Sequence, residues 1–336
     1  MKKQWCLALT ALMAQGVQAK VDVYGRVHVS VDYLSTHNTY HGINYSSNAS
    51  RIGFRAQDGI GEAVVFMQLE QQYNTFQDSK AALATRNTYV GLTHPTWGVV
   101  RLGRFDSPFK TARGPANLFA DQLGDMRSMM REDGFDKRLD NTLEVQTPSL
   151  FGWRFNFAYS LHEDEVNESD ENQQSYSVSG VYEQGAWHAA LAYENLQKDV
   201  GGRDSVRAAL AYQWHANSKA VLFYQHNGAT KMRPSNQIYG VGGTYKWANG
   251  LVAKGMFMER FAATNAENVQ LAVLGAEYRL GQPLLLYVNY AYVTNGENTS
   301  VAPWNVSGRS NAKAGVQAIA AGENSEGFSM GMRYDF

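Results

Sequence analysis

The sequence predicts an all-β protein: a transmembrane antiparallel β-barrel of about sixteen strands, with its third long connection folded inward. Three observations predict it. Apolar and polar residues alternate with period two along most of the chain, the connections alternate between short and long, and the last nine residues are themselves a strand. Period two sends successive side chains to opposite faces, so a strand oily on one face and polar on the other can stand between lipid and water.

The first element is a leader. Met1-Lys2-Lys3 is basic, residues 4–15 are mostly apolar, and Val17 and Ala19 place small residues before a cut ahead of Lys20. That pattern predicts a secretory signal peptide over 1–19, leaving 20–336 as one barrel domain. Cys6 is the chain's one cysteine and sits at the start of the apolar core, which argues against a lipid-modified cysteine and leaves the exported chain without disulfides.

Composition excludes a bundle of spanning helices. No apolar run after residue 19 reaches the eighteen or so residues a membrane helix needs. Leu280–Gly296 comes nearest, but Gly281-Gln282-Pro283 interrupts it and Asn289 and Asn295 dilute it. The mean hydropathy of −0.39 is that of a soluble protein, yet 12% of residues are aromatic and regularly spaced. A polar average with periodic aromatics is what alternation produces when half the side chains meet lipid.

The strands follow in order. Val21, Val23, Val27, Val29 and Val31 alternate with Asp22, Arg26, His28, Ser30 and Asp32; Ile52, Phe54 and Ala56 alternate with Arg51, Gly53 and Arg55. Leu139, Leu143 and Val145 alternate with Arg138, Asp140, Thr142 and Glu144, and Trp153, Phe155, Phe157 and Tyr159 with Arg154 and Asn156. Val206 to Trp214 repeats the unit, and Phe328, Met330, Met332, Tyr334 and Phe336 close the chain against Ser329, Gly331, Arg333 and Asp335.

A soluble sandwich would also alternate, so the connections decide. Seven short turns rich in Gly, Pro, Asn and Asp lie at 58–61, 95–98, 148–152, 183–185, 216–218, 248–250 and 281–283. Between them fall eight longer polar segments at 35–48, 74–84, 106–137, 161–173, 195–204, 226–236, 261–268 and 294–326. Sorting by length onto two ends gives sixteen strands with one short-turn side and one long-loop side. In hydrocarbon an open sheet edge would strand amides and carbonyls, so the strand at 21–34 must meet the one at 327–336. A cylinder of that size is too wide for side chains to fill.

The 106–137 connection differs from the rest. It carries Phe109, Leu118, Phe119, Leu123, Met126, Met129, Met130 and Phe135, which an outward loop has no use for. Asn117–Met126 is expected to form one or two helical turns capped by Asn117, the loop folding back to pack its apolar side chains on the wall.

The alternating aromatic ending resembles the terminal strand of bacterial outer-membrane barrels. The chain after the leader resembles the Gram-negative general (non-specific) porin family, most closely over 48–160. Asn48-Ala-Ser-Arg-Ile-Gly-Phe-Arg55, Arg86-Asn-Thr-Tyr-Val-Gly-Leu92, Arg101-Leu-Gly-Arg-Phe-Asp-Ser-Pro-Phe109 and Arg138-Leu-Asp-Asn141 look like family motifs, and Leu118-Phe119-Ala120-Asp121 is similar to the inward third loop. The enterobacterial Pro-Glu-Phe-Gly-Gly variant of that loop is absent, so the likeness is to the wider proteobacterial type. The resemblance implies a homotrimeric outer-membrane pore without cofactor, passing ions and small hydrophilic solutes among membrane lipid and lipopolysaccharide. It also implies wall arginines facing loop acids at a constriction. By motif the arginines are Arg51, Arg86 and Arg138, which lie eight, nine and ten residues before Gly59, Pro95 and Pro148 and so stand at comparable heights. Asp121 and Asp125, four apart on the loop, are the opposing acids, with Asp106 and Asp133 as weaker candidates. For the trimer, Asn87, Tyr89 and Gly91 are read as an outward face suited to protein contact.

Other patterns carry less. Gly327-Phe-Ser-Met-Gly331 matches a hydrolase motif, but it lies in a strand with no later His. His37 and His41 share a loop without a third metal ligand. Glu163 to Glu171 crowds acids into one outer loop, read as solvated charge or, less well, as a divalent-cation bridge to lipopolysaccharide. No nucleotide loop, nucleophilic triad or basic nucleic-acid patch stands out, and no catalysis is expected. Two rival classes remain: a barrel enzyme of the lipase kind, and a plugged barrel with a structural or adhesive role.

Overall fold

The computed structural model describes residues 20–76, 86–130, 134–161, 174–196, 202–229, 234–306, 309–311 and 319–336. The leader, the 163–171 acids and Asp133 lie outside them. The wall opens with β1 (Lys20–Thr36), β2 (His41–Asn48), β3 (Arg51–Ile60), β4 (Ala63–Gln72), β5 (Thr88–His94) and β6 (Gly98–Asp106). It continues through β7 (Arg138–Gln146), β8 (Trp153–Ser160), β9 (Ser175–Gln184), β10 (Trp187–Leu196), β11 (Arg203–His215) and β12 (Ser218–Asn227). It ends with β13 (Asn236–Lys246), β14 (Val252–Ala262), β15 (Val269–Leu280), β16 (Leu284–Asn295), β17 (Arg309–Asn311) and β18 (Ser325–Asp335).

β2 and β3 are two halves of one wall strand. Both pair with β1, and the break between them falls at Ala49, whose φ is 60°. Among the described residues β17 pairs with β2, and it belongs to the last long connection. Sixteen wall strands result, each antiparallel to its neighbours. The ring closes where β1 meets β18, from Arg26 opposite Asp335 to Thr36 opposite Ser325. Gly25 and Phe336 then exchange both backbone hydrogen bonds, at 2.8 and 3.1 Å, so the terminal aromatic residue is tied into the seam. No backbone edge is left for lipid to solvate there.

The two faces sort as alternation requires. Ile52, Phe54, Phe157, Leu191, Leu222, Val241 and Met330 are exposed on the outside, while His28, Asp32, Glu70, Glu144, Arg207 and Ser329 are buried within. From β8 onward, outward aromatics gather near both ends of the strands. Trp187 and Tyr212 pack at 4.1 Å and Trp153 and Tyr182 at 5.2 Å toward the short turns; Tyr176 and Tyr193 (5.8 Å) and Tyr224 and Tyr239 (5.2 Å) lie toward the long loops. These are the two girdles of a membrane barrel.

Three expectations change. The 35–48 segment is mostly strand: β1 runs to Thr36 and β2 starts at His41, because Asn44, Ser46 and Asn48 point inward to polar partners while Ile43 and Tyr45 face out. Leu139 does not share the lipid face of Leu143 and Val145. The β6–β7 register slips between Gly103 and Phe105, with Asn141 at φ 50°, and the extra residue turns Leu139 inward against Phe109 and Phe135. Tyr89 and Gly91 also face inward. The Tyr89 hydroxyl donates to Gln68, and a Cβ on Gly91 would strike the Phe66 ring at 2.5 Å, so Val90 is the exposed residue of that strand.

Candidate functional site

The site is built by the 107–137 connection and the wall it faces. Its first turn is α1 (Pro108–Thr111), capped by Ser107, whose Oγ accepts from the Lys110 amide at 3.1 Å, with Pro108 at the first helical position. Short 3-10 turns follow at Gly114–Ala116 and Met126–Met129, the second capped by the Asp125 side chain. The helical turn expected over 117–126 does not form. Asp121 at φ 61° and Gly124 at φ 80° reverse the chain there, and Asn117 donates its amide to Asp125 at 3.0 Å rather than capping a helix.

Apolar burial carries the loop inward. Phe109, Phe119, Leu123, Met126, Met129 and Met130 are fully buried, each contributing about 1.5–3 kcal/mol relative to exposure. Leu123 reaches the β18 backbone, where a Cβ on Gly327 would come within 3.0 Å of it. Polar contacts fix the path along the wall. The Phe109 amide donates to Ser177 (2.9 Å), and Arg207 donates to the Phe109 carbonyl and to Asp136, both at 2.7 Å. Lys254 donates to Leu118 O (3.1 Å), Gln122 (2.7 Å) and Glu277 (2.9 Å), and Asn289 donates to Gln122 at 2.9 Å. The loop thus lies against the inner face of β9, β11, β14 and β16.

Asp121 stands at the bend. Arg127 donates to it at 2.6 Å, and Arg26 on β1 lies 3.9 Å away. Burial would raise the Asp121 carboxyl, but Arg127 first, with Arg51 and Arg86 behind it, holds it well below the usual carboxylate range. Asp125 is placed otherwise. It is fully buried, accepts the backbone amides of Asp121 (2.7 Å) and Arg127 (2.9 Å), and pairs with the Arg127 guanidinium at 2.5 Å. Its role in the geometry is to hold the bend.

The structure brings Arg51 and Arg86 together on one carboxylate: Glu70 lies 3.3 Å from the first and 2.5 Å from the second. Arg138 pairs with Asp106 at 3.2 Å and donates to Asn87 at 2.8 Å. Asp106 in turn accepts Lys110 at 2.6 Å, whose ammonium burial pulls down to about 8 despite that partner. Four groups were missed from sequence: Arg26, Glu70, Arg333 and Asp335. Arg26 donates to Asp335 across the closing seam at 2.5 Å, and Arg333, on the same strand as Asp335, pairs with that carboxylate at 3.1 Å. Inward parity on β1 and β18 was legible for all but Glu70, whose strand alternates too weakly to orient it. The geometry sets Asp121 on the inward loop opposite Arg26 on the wall, and opposed charges across a narrow aqueous neck can impose a transverse field on water and solutes.

A family model for Gram-negative porins matches residues 6–298. An outer membrane porin protein of Bordetella pertussis is 27% identical over 179 residues, covering 49% of this chain and 46% of that protein, so the match spans about half the relative's length. Among solved structures, an anion-selective porin from Comamonas acidovorans superposes with a TM-score of 0.83 at 20% identity, over 95% of this chain and all of that one. Salmonella typhi OmpF gives 0.68 at 15%, over 95% and 98%, and the trimer form of OmpT of Vibrio cholerae gives 0.67 at 16%, over 95% and 99%.

Proposed function

The chain belongs to the Gram-negative porin family, and from that premise we propose that it is a general diffusion pore of the outer membrane, passing ions and small hydrophilic solutes down their gradients. The observation that carries the reading is the inward loop at Asp121, set against the arginine wall of β1 and β3 inside a barrel too wide to be filled by its own side chains. Residues 1–19 act as the export signal and 20–336 as the pore. The chemistry is passive, with no bond made or broken.

Charge balance at the waist favours anions. Arg26, Arg51, Arg86, Arg333 and the loop's Arg127 stand against four carboxylates, Glu70, Asp335, Asp121 and Asp125, which leaves one positive charge in excess. Arg55 adds a guanidinium that donates to Gln68 and lies 3.9 Å over the Tyr24 ring. An excess of fixed positive charge in a narrow aqueous neck concentrates anions and repels cations.

The native state is a homotrimer. The outward face of β1 to β7 supplies the contact, because outward aromatics are sparser there than from β8 onward. Between Tyr33 and Tyr45 at the rim and Trp97 at a short turn it presents mainly aliphatic residues, Val21, Val23, Ile52, Met67, Val90, Leu102 and Leu143, with Phe54 the aromatic among them. A mostly aliphatic sector with few headgroup-level aromatics suits another protein wall better than lipid. Planar-bilayer recording tests the function: stepwise conductance is expected, and an electrically silent, correctly folded protein would overturn it.

A further inference from the structure

We infer that residues 301–306, in the last long connection between β16 and β18, form a second inward segment that clamps the tip of the constriction loop and so sets the geometry of the waist. The inference rests on reading 107–137 as the constriction loop. The expected role for 294–326 was an outer polar loop, yet Val301, Ala302, Trp304 and Val306 are buried, Trp304 to within 1% of full burial. Trp304 joins the apolar cluster that holds Phe119, Leu123 and Met126.

The contact is specific as well as apolar. The Gly124 amide, at the reversal of the constriction loop, donates to the Pro303 carbonyl at 2.9 Å. On its other side Gly124 is pressed against the wall: a Cβ there would meet Val273 at 2.6 Å and Ala291 at 3.1 Å. The tip is therefore held between the barrel wall and the last connection, with no room to lift while Pro303 and Trp304 stay seated.

The clamp is rooted in its own wall strands. Asn295 at the end of β16 donates to the carbonyls of Val301 and Glu323, both at 2.8 Å, and accepts the Val301 amide at 2.9 Å. Farther along, Arg309 is buried on Asp32 and Ser46, and β17 adds itself to β2. A segment fixed at both ends with an indole at its centre is a brace. Its removal leaves Gly124 held from one side.

Hydrogen exchange on the detergent-solubilised full chain tests this directly. In the native protein the amides of 119–130 exchange slowly; Trp304→Ala speeds them by about tenfold or more, with β-strand amides unchanged, and Trp304→Phe restores most of the protection. In bilayers Trp304→Ala adds open-channel noise and brief closures that Trp304→Phe removes. Unchanged exchange at 119–130 in a folded Trp304→Ala protein would overturn the clamp. Should that variant not fold, Val301→Ala, a smaller truncation of the same segment, carries the same two outcomes. A silent wild-type bilayer sinks the pore reading instead and leaves the exchange result standing.

Discussion

Arg26 on the wall and Asp121 on the inward loop face each other at 3.9 Å, joining the first strand of the barrel to the bend of its constriction. At that separation the attraction is about 1 kcal/mol in bulk water and about 4 kcal/mol at the intermediate dielectric of a protein surface. Asp121→Asn removes the loop's carboxylate from the waist and leaves Arg26 paired with Asp335 alone. Anion preference should rise, read as a larger reversal potential of anionic sign in a salt gradient. An unchanged value would place Asp121 outside the permeation path.

Removing wall cations should act in the opposite sense. Arg51→Ala, Arg86→Ala or Arg138→Ala each takes one positive charge from the neck, and the anion-to-cation permeability ratio should fall by about twofold or more per substitution. Arg86→Ala also removes the nearer of the two guanidinium partners of Glu70, leaving Arg51 at 3.3 Å, so it should give the larger change of the first two. Equal ratios in wild type and variants would dissociate these residues from selectivity.

Shortening the loop within 116–130 should raise single-channel conductance and the solute size limit, because the segment lies inside the barrel against β14 and β16. Liposome swelling with sugars of increasing size measures the limit. The same limit before and after truncation would mean that the loop does not form the narrowest point.

Phe119 is fully buried with the Lys254 ammonium 4.5 Å over its ring. Phe119→Ala should cost about 3–5 kcal/mol, the usual loss for a buried phenylalanine, seen as a lower denaturant midpoint for loop-specific exchange. A cost under about 1 kcal/mol would mean that the site collapses around the gap.

Acid should release the β1–β2 turn. Burial would raise Glu323, but hydrogen bonds from the Thr39 hydroxyl (2.7 Å) and the Asn38 amide (2.6 Å) pull it down to about 2. A depressed folded value means stability that is full above the ordinary carboxylate range and disappears as pH falls through about 2. The amides of Asn38 and Thr39 should stay protected at pH 4 and exchange freely near pH 2. Loss of protection already at pH 4 would contradict the assignment.

Much of the wall was legible because lipid and water impose opposite demands on adjacent residues. Ile52 and Phe54 against Arg51 and Arg55 leave one orientation open. The alternation of short and long connections gave the strand number for the same reason, since a spanning strand has a fixed length. What escaped was local. The slip at Gly103 and Phe105 turned Leu139 over, and no period-two reading anticipates an extra residue. The 35–48 segment reads as loop because its inward residues are polar, and one of their partners lies far off in sequence: Asn48 donates to Tyr287, 239 residues away. In the site, positions fixed by strand parity were visible from sequence. Asp125 was assigned with Asp121 as an opposing acid, because only the folded loop reveals a carboxylate engaged by its own backbone.

The central claim is a water-filled neck with positive charge in excess, and the reversal potential of single channels in a potassium chloride gradient tests it most directly. The account predicts stepwise ohmic conductance reversing on the chloride side of zero. Reversal on the potassium side would contradict the charge assignment, and absence of conductance from folded protein would contradict the pore itself.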